Sequence, residues 1–410
     1  MSQATNGFRR SIGAHEGAVE LDGVRHTLRR RTAGSPAKSG HSLMEADDLI
    51  LVTGAGGFIG GHLVAELKKR GFGRIRAVDH KPVNEWHQVT PDVEVIRADL
   101  REAKSCRHVT GQVAWVFNMA ADMGGMGFIE TNKAACMLSV LINTNLLVAA
   151  LDNGARRFFF SSSACVYNAA KQARADVTAL REEDAYPALP EDGYGWEKLF
   201  SERMCRHFTE DFGLTTRVAR YHNVYGPLGT WDGGREKAPA AICRKVAQAK
   251  LSGTSAIQIW GDGEQTRSFT YIDDCVEGTL RIFESASADP LNLGSAELVS
   301  VNQLVTMIEA IAGVRLERSY DLDAPKGVRG RNSDNTRIEA ALGWAPTTAL
   351  QDGLEHTYAW IYDQLKSGQP QAATAARTLV DMSRRHKIAE DPSLVLLPGR
   401  RLGSLAVDPA

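Results

Sequence analysis

The chain has 410 residues, a formal net charge of −1, 43% hydrophobic residues and 24% charged residues. That balance gives no electrostatic reason to expect a nucleic-acid partner or a membrane surface. No apolar run approaches the roughly 20 residues of a membrane span. Six dispersed cysteines (Cys106, Cys136, Cys165, Cys205, Cys243 and Cys275) include no C-x-x-C pair. They fit reduced thiols in a cytoplasmic enzyme better than a disulfide framework or a zinc site, and no metal is expected.

Residues 1–46 lack a periodic apolar pattern, and "RHTLRRR" and "GSPAKSG" read as loops, so a disordered extension is expected. An early apolar core of the secretory type is absent, and Glu16, Glu20 and Asp22 dilute the arginines that a transit peptide would need. "DDLILVTGAGGFIGGHLVAELKKRGF" reads as strand, glycine turn and helix. Leu49 to Val52 form a continuous apolar run, and Ile59, Leu63 and Leu67 recur at helical spacing. "RIRAVDH", "VEVIRADL" and "VAWVFNMAA" follow as strands, 128–154 as one long helix, and "RRFFFSSSA" as a fifth strand. A helix over 192–211 and the strand "TTRVARYHNVYG" complete a βα alternation, which predicts a doubly wound parallel sheet of Rossmann type.

Beyond about residue 225 the pattern changes to glycine-rich loops and shorter elements. Helices are expected near 239–250, 274–285, 301–312 and 350–366, with a strand near 257–260. The domain reading is therefore an extension over 1–46 and a dinucleotide-binding domain over 47–225, to which some later segments return. A smaller mixed α/β substrate lobe covers 226–367, and a C-terminal extension covers 368–410.

Gly54, Gly57 and Gly60 form G-x-x-G-x-x-G between a strand and a helix. The first permits a tight turn, the second lets backbone approach a pyrophosphate, and the third permits close helix packing. Asp79, at the end of the second strand, is placed to hold a ribose 2′-hydroxyl, which favours NAD over NADP. Asp99, after the third strand, is placed on the adenine side.

"YGWEK" carries Tyr194 and Lys198 four residues apart on an expected helix, hence on one face. An ammonium beside a phenol lowers the phenol's pKa. A tyrosinate beside a nicotinamide can take the proton of a sugar hydroxyl as hydride leaves its carbon, with Ser163 bonded to the same oxygen. Cys165 stands two residues after Ser163. A lone cysteine near a strand end is ordinarily a packed hydrophobe, but Ser163 before it and Tyr194 downstream favour a chemical role. Arg267 and Arg329 or Arg331 are natural bidentate partners for a diphosphate, and Gly124 and Gly125 would let a sugar lie against backbone.

These marks, with "NMAA", "NVYGP" and "RSFTYIDD", resemble the extended short-chain dehydrogenase/reductase family over roughly residues 48–366. "AADMGGMGFI", "SSSACVY", "GTWDGGREKAPAAICRK" and "GVRGRNSDN" resemble its GDP-mannose 3,5-epimerase branch. The resemblance implies an NAD cofactor, held also by Phe58, Ile59, Leu100, Ala120 and Ala121. It makes Cys165 and Lys237 the acid/base pair that epimerises a GDP-sugar at C3 and C5 through a 4-keto intermediate, giving GDP-L-galactose or GDP-L-gulose. It puts Gly124, Ala164, Asn223, Glu236, Ala238, Lys245, Gln265, Thr266, Arg267 and Arg329 on substrate, beside Ser163, Cys165, Tyr194 and Lys237. It also implies a homodimer formed through two long helices. Two alternatives stay open: an epimerase of another GDP-sugar at a single carbon such as C4, and a catalytically idle NAD-binding protein.

Overall fold

Seven parallel strands form the central sheet of this computed structural model. Their order is Leu291–Leu293, Thr215–Tyr221, Arg157–Ser163, Trp115–Asn118, Ile50–Thr53, Ile75–Asp79 and Glu94–Arg97. The structure describes residues 44–368 and the strand backbones Gly17–Leu21 and Val24–Leu28. The central strands are apolar on both sides because both faces are covered. Ile50, Val52, Phe117 and Phe159 enter one hydrophobic cluster, while Leu51, Val78, Val116, Phe158 and Phe160 enter the other. The strand order reverses between Ile50–Thr53 and Trp115–Asn118. A crevice opens at the carboxyl ends of strands at such a switch point, and this is where ligands of the fold bind.

The last sheet strand, Leu291–Leu293, comes from far along the chain and returns to the first lobe beside Thr215–Tyr221. The second lobe is built from a parallel pair, Ala256–Trp260 with Glu317–Asp321, and a three-stranded sheet. In that sheet Thr266–Ser268 lies between Leu298–Ser300 and Gly330–Arg331. Helices Ala238–Ser252, Val301–Ala312 and Leu350–Ser367 pack together behind them.

Three sequence expectations need correcting. The long helix over 128–154 is three segments, Met126–Thr131, Lys133–Met137 and Ser139–Asp152. Asn132 leaves helical geometry (φ −128°, ψ 40°), and its side-chain amide donates to the Phe128 carbonyl at 3.0 Å. A short amide side chain offers the backbone this alternative to helix. Lys133–Asp152 is also long and apolar enough to cross a membrane by length and composition, and over half of its apolar window is buried inside the molecule, as in a core helix. In the N-terminal stretch expected to be disordered, Gly17–Leu21 and Val24–Leu28 pair antiparallel. The rest of residues 1–43, and the C-terminal extension from 369, lie outside the described residues.

Candidate active site

A cleft of about 650 Å³ runs along the carboxyl ends of the central strands and is lined by Gly54, Gly57, Phe58, Ile59, Gly60 and Asp79. Asp99, Leu100, Ala120, Ala121, Gly124, Ser163, Tyr194, Lys198 and Lys237 also line it. Gly54 has φ +66°, and a Cβ there would lie 2.8 Å from the Met119 carbonyl carbon on the next strand. A Cβ on Gly60 would lie 2.2 Å from the Gly54 oxygen, so the helix Phe58–Lys69 can approach its own turn only with glycine at this position. Gly57 caps that helix, whose unpaired first amides and positive dipole end suit a pyrophosphate.

Asp79 is buried and accepts hydrogen bonds from the Gly56 and Lys81 amides, each at 3.0 Å. Burial pushes its carboxyl up, but bonding to His80 and the charge of Lys81 outweigh burial and hold it below the ordinary carboxylate range. A carboxylate so placed suits a ribose hydroxyl and repels a 2′-phosphate. Asp99 is gripped by Arg101, which joins it at the mouth of the cleft. The glycine cradle, the helix terminus and the buried Asp79 together fit a dinucleotide.

Tyr194 opens the helix Tyr194–Phe212, behind Gly193 at φ +73°. Tyr194 is 5% exposed and Lys198 1% exposed. The Lys198 ammonium sits 4.6 Å from the centroid of the Phe160 ring and 5.5 Å from that of Tyr194. The helix thus puts both groups on one face, but the electrostatics differ from the expectation. Burial pushes the Tyr194 phenol well above its ordinary value, the neighbouring Cys165 and Glu197 add to this, and hydrogen bonding with Ser163 works downward. Lys198 sits over the aromatic face, where its charge contributes cation–π attraction.

Ser163 ends the strand Arg157–Ser163, and its hydroxyl accepts from the Cys165 amide at 3.2 Å. This bond turns the chain into a short 3₁₀ segment, Ala164–Val166, that places Cys165 behind Tyr194. Cys165 is 7% exposed. Burial and the charge of Glu191 push its thiol up to about 11, against the opposing pull of Arg331 and Ser163.

Lys237 arrives from the other lobe, as the cap residue of the helix Ala238–Ser252. Its loop is docked by packing. The Gly125 amide donates to the Arg235 carbonyl at 3.0 Å, and a Cβ on Gly125 would lie 2.4 Å from the Glu236 carbonyl oxygen. Arg235 pairs with Asp122 at 2.7 Å and lies over the Phe128 ring. Half-buried Lys237 has its ammonium shifted downward by burial, opposed by the charge of Cys165.

The remaining proposed substrate residues lie off this cleft. Glu236 accepts from the Gly234 amide and from Arg244, shaping the loop from within. Lys245 donates to the Gln258 carbonyl, and Asn223 to that of Ser268. Thr266 donates to the Ala175 carbonyl, and Arg267 to the Thr266 carbonyl. Arg329 makes a forked contact with Asp262 at 2.8 Å. Gln265 is buried with its side-chain oxygen unpartnered, and Ala238 begins its helix. Ala164 is buried beneath the strand end. Arg331 is corrected as a diphosphate partner. It is 4% exposed, and its nitrogens are taken up by Gln172, Glu191 and the Cys165 sulfur. Glu191 and Gln172 carried no motif that would have marked them in the sequence.

Comparison with known proteins agrees with this geometry. A model of the NAD dependent epimerase/dehydratase family matches residues 50–294. GDP-mannose 3,5-epimerase 1 of Oryza sativa subsp. indica is 50% identical over 331 residues, covering 80% of this chain and 85% of the rice protein. UDP-glucose 4-epimerase from Thermotoga maritima, solved with UDP-glucose, is 26% identical with a TM-score of 0.69, covering 77% of this chain and 99% of that one. UDP-glucuronic acid 4-epimerase from Bacillus cereus, solved with UDP-glucuronic acid and NAD, is 27% identical with a TM-score of 0.66, covering 77% and 99%.

Proposed function

The chain belongs to the NAD dependent epimerase/dehydratase family, and on that premise we propose that it epimerises a GDP-sugar, GDP-mannose at C3 and C5. One observation carries the reading beyond the family. An amine from the second lobe, Lys237, lines the cleft with Ser163 and Tyr194, and a thiol from the first lobe, Cys165, packs against Tyr194 and adds its charge to the surroundings of Lys237.

NAD, when bound, supplies the acceptor and later the donor of the C4 hydride. Tyr194, reacting as a phenolate whose charge the Lys198 ammonium offsets, takes the proton of the C4 hydroxyl, and Ser163 orients that oxygen. The resulting 4-ketone acidifies the hydrogens on C3 and C5. Inversion then needs one group that removes a proton from carbon and another that returns one to the opposite face. Cys165 and Lys237 are suited to these two roles because burial favours a neutral Lys237 amine, whose lone pair can accept a proton, and a neutral Cys165 thiol, which can give one. Reduction at C4 closes the cycle, so the cofactor is not consumed and the products are GDP-L-galactose or GDP-L-gulose. A thiol next to the redox serine suits carbon-proton transfer without loss of water.

Incubation with GDP-mannose in deuterated water tests the reading. Deuterium at both C3 and C5 is the expected result. No exchange at either carbon, with another GDP-sugar inverted at C4 instead, overturns it.

The same reading includes a homodimer in the cytoplasm. Met137, Leu138, Leu141, Trp196 and Phe200 are exposed on the helical segments around 133–152 and on Tyr194–Phe212, which pack on each other. An apolar strip of this kind suits a second copy, and Phe200→Glu is expected to convert a dimer to monomer in sedimentation. Six free thiols suit a reducing compartment.

A further inference from the structure

Behind Cys165 lies a buried charged assembly that the reaction scheme leaves without a task. The Arg331 Nη1 approaches the Cys165 sulfur at 3.6 Å. Its Nε donates to the Gln172 side-chain oxygen at 2.6 Å, and its Nη2 donates to Glu191 Oε1. The second Glu191 oxygen, Oε2, is buried with no hydrogen-bond partner. Three separate segments have to meet here, and backbone fixes them to one another. The Glu191 amide donates to the Cys165 carbonyl at 3.0 Å, and the Arg329 amide donates to the Gln172 carbonyl at 3.0 Å. A Cβ on Gly330 would lie 2.2 Å from the Arg174 carbonyl oxygen, so only glycine lets the strand carrying Arg331 pass this close.

A guanidinium buried without a counter-charge would be very costly, and a carboxylate likewise. Joined, they leave one N–H directed at sulfur and one carboxylate oxygen unspent beside it. We propose that Glu191 is a positioning residue for the proton transfers of Cys165: it clamps Arg331, with Gln172, so that Nη1 faces the sulfur as the thiol gives up and regains its proton. This inference rests on the epimerase reading of the site. The balance is simple. When the S–H bond breaks and the proton passes to carbon, the electron pair stays on sulfur, where Nη1 stabilises the thiolate. When sulfur takes a proton from carbon, the S–H bond re-forms and the pair left on carbon delocalises into the C4 ketone. Glu191 keeps its own charge throughout.

The charged and titratable groups around Cys165 are Glu191 and Arg331, Lys237 from the second-lobe loop, Tyr194 from its helix, and Arg267 from the three-stranded sheet. Glu191 favours the thiol and Arg331 the thiolate.

The test uses full-length protein with NAD. The Cys165 titration is read as the ultraviolet thiolate absorbance of each protein minus that of its own Cys165→Ala counterpart. In Glu191→Gln the midpoint is expected to fall by about one pH unit or more, and deuterium exchange into GDP-mannose to slow about tenfold. Glu191→Asp is expected to restore both in part. An unchanged midpoint, or exchange at the wild-type rate, overturns the proposal. Should Glu191→Gln not fold, Gln172→Met carries the test: it frees Arg331 Nε without changing charge, and exchange at the wild-type rate then overturns the clamp. Failure of the wild-type protein to exchange deuterium would instead sink the epimerase reading, and the thiolate titration would still report on the clamp.

Discussion

Cys165 and Lys237 are proposed to serve one site, and their positions are built on different physical terms. Cys165 follows directly from a seven-residue strand in the middle of the parallel sheet, flanked by Phe158, Phe159 and Phe160, all 1% exposed or less. Burying each such phenylalanine contributes about 1.5–3 kcal/mol, so the strand end is held by the core of the first lobe. Lys237 follows Gly233 and Gly234, at φ +90° and +84°, with open space around both. Its position comes from docking against residues 122–128 and not from its own element. The site therefore pairs a group held by the core with a group held by an inter-loop contact. Burial acts on them in opposite senses, raising the thiol and lowering the amine, because each is disfavoured in its charged form.

The largest effects should come from deleting the two groups. Cys165→Ala is expected to cut deuterium exchange at C3 and C5 by about 10²–10⁴-fold, while NAD binding and the fold survive. Exchange at the wild-type rate would reduce the thiol to packing. Lys237→Met should lose exchange on the same scale but gain stability, because a half-buried ammonium is removed. A rise in Tm of about 1–2 °C is expected, and a fall would show that the ammonium has a structural partner.

Next comes the docking contact. Gly125→Ala drives a Cβ into the Glu236 carbonyl and should displace Lys237. A displacement of about 1 Å can cost up to ~10²-fold in rate, with NAD affinity unchanged by titration. Gly234→Ala, strained in φ but meeting no atoms, should cost about 1 kcal/mol of stability and little rate. If the two variants behave alike, loop docking is not what places Lys237.

Smaller effects appear with pH and salt. The Cys165 thiol is raised from 9.0 to about 11, so the native state holds its proton more tightly than the unfolded chain does. Its stabilising contribution is fully present below about pH 9 and is lost as pH climbs to about 11. Cys165→Ala should remove that component from the alkaline limb of a stability–pH curve. Lys237 runs the other way. Its lowered value makes the charged form a cost, which is relieved only as pH rises towards its ordinary 10.5. Last, Asp122→Asn breaks an exposed pair with Arg235 and should cost under about 1 kcal/mol. Its effect on rate should fade at high salt.

What was legible in the sequence follows this same division. Gly54, Gly57 and Gly60 announce a turn that only short-range sterics dictate, and Tyr194 with Lys198 announce a shared helix face through spacing alone. The helix over 128–154 misled because apolar periodicity continues through Asn132, whose side-chain amide bonds back to the Phe128 carbonyl. Arg331 misled more deeply. As a residue type it fits a phosphate, and nothing nearby in the chain shows that Gln172 and Glu191 will enclose it.

The sequence by itself determined the doubly wound sheet, the dinucleotide turn, the Ser163–Tyr194–Lys198 set and the candidacy of Cys165, because each rests on periodicity or on spacings within one or two elements. Tertiary structure alone decided that Lys237 of the second lobe enters the cleft with Ser163 and Tyr194, and that Arg331 faces the Cys165 sulfur and not phosphate. It also decided that Tyr194 is buried beside Cys165 and Glu197, which raises its phenol. The physical reason is range. Turn sterics and helical faces act over a few residues, while desolvation and charge pairing depend on which distant segments close the same space.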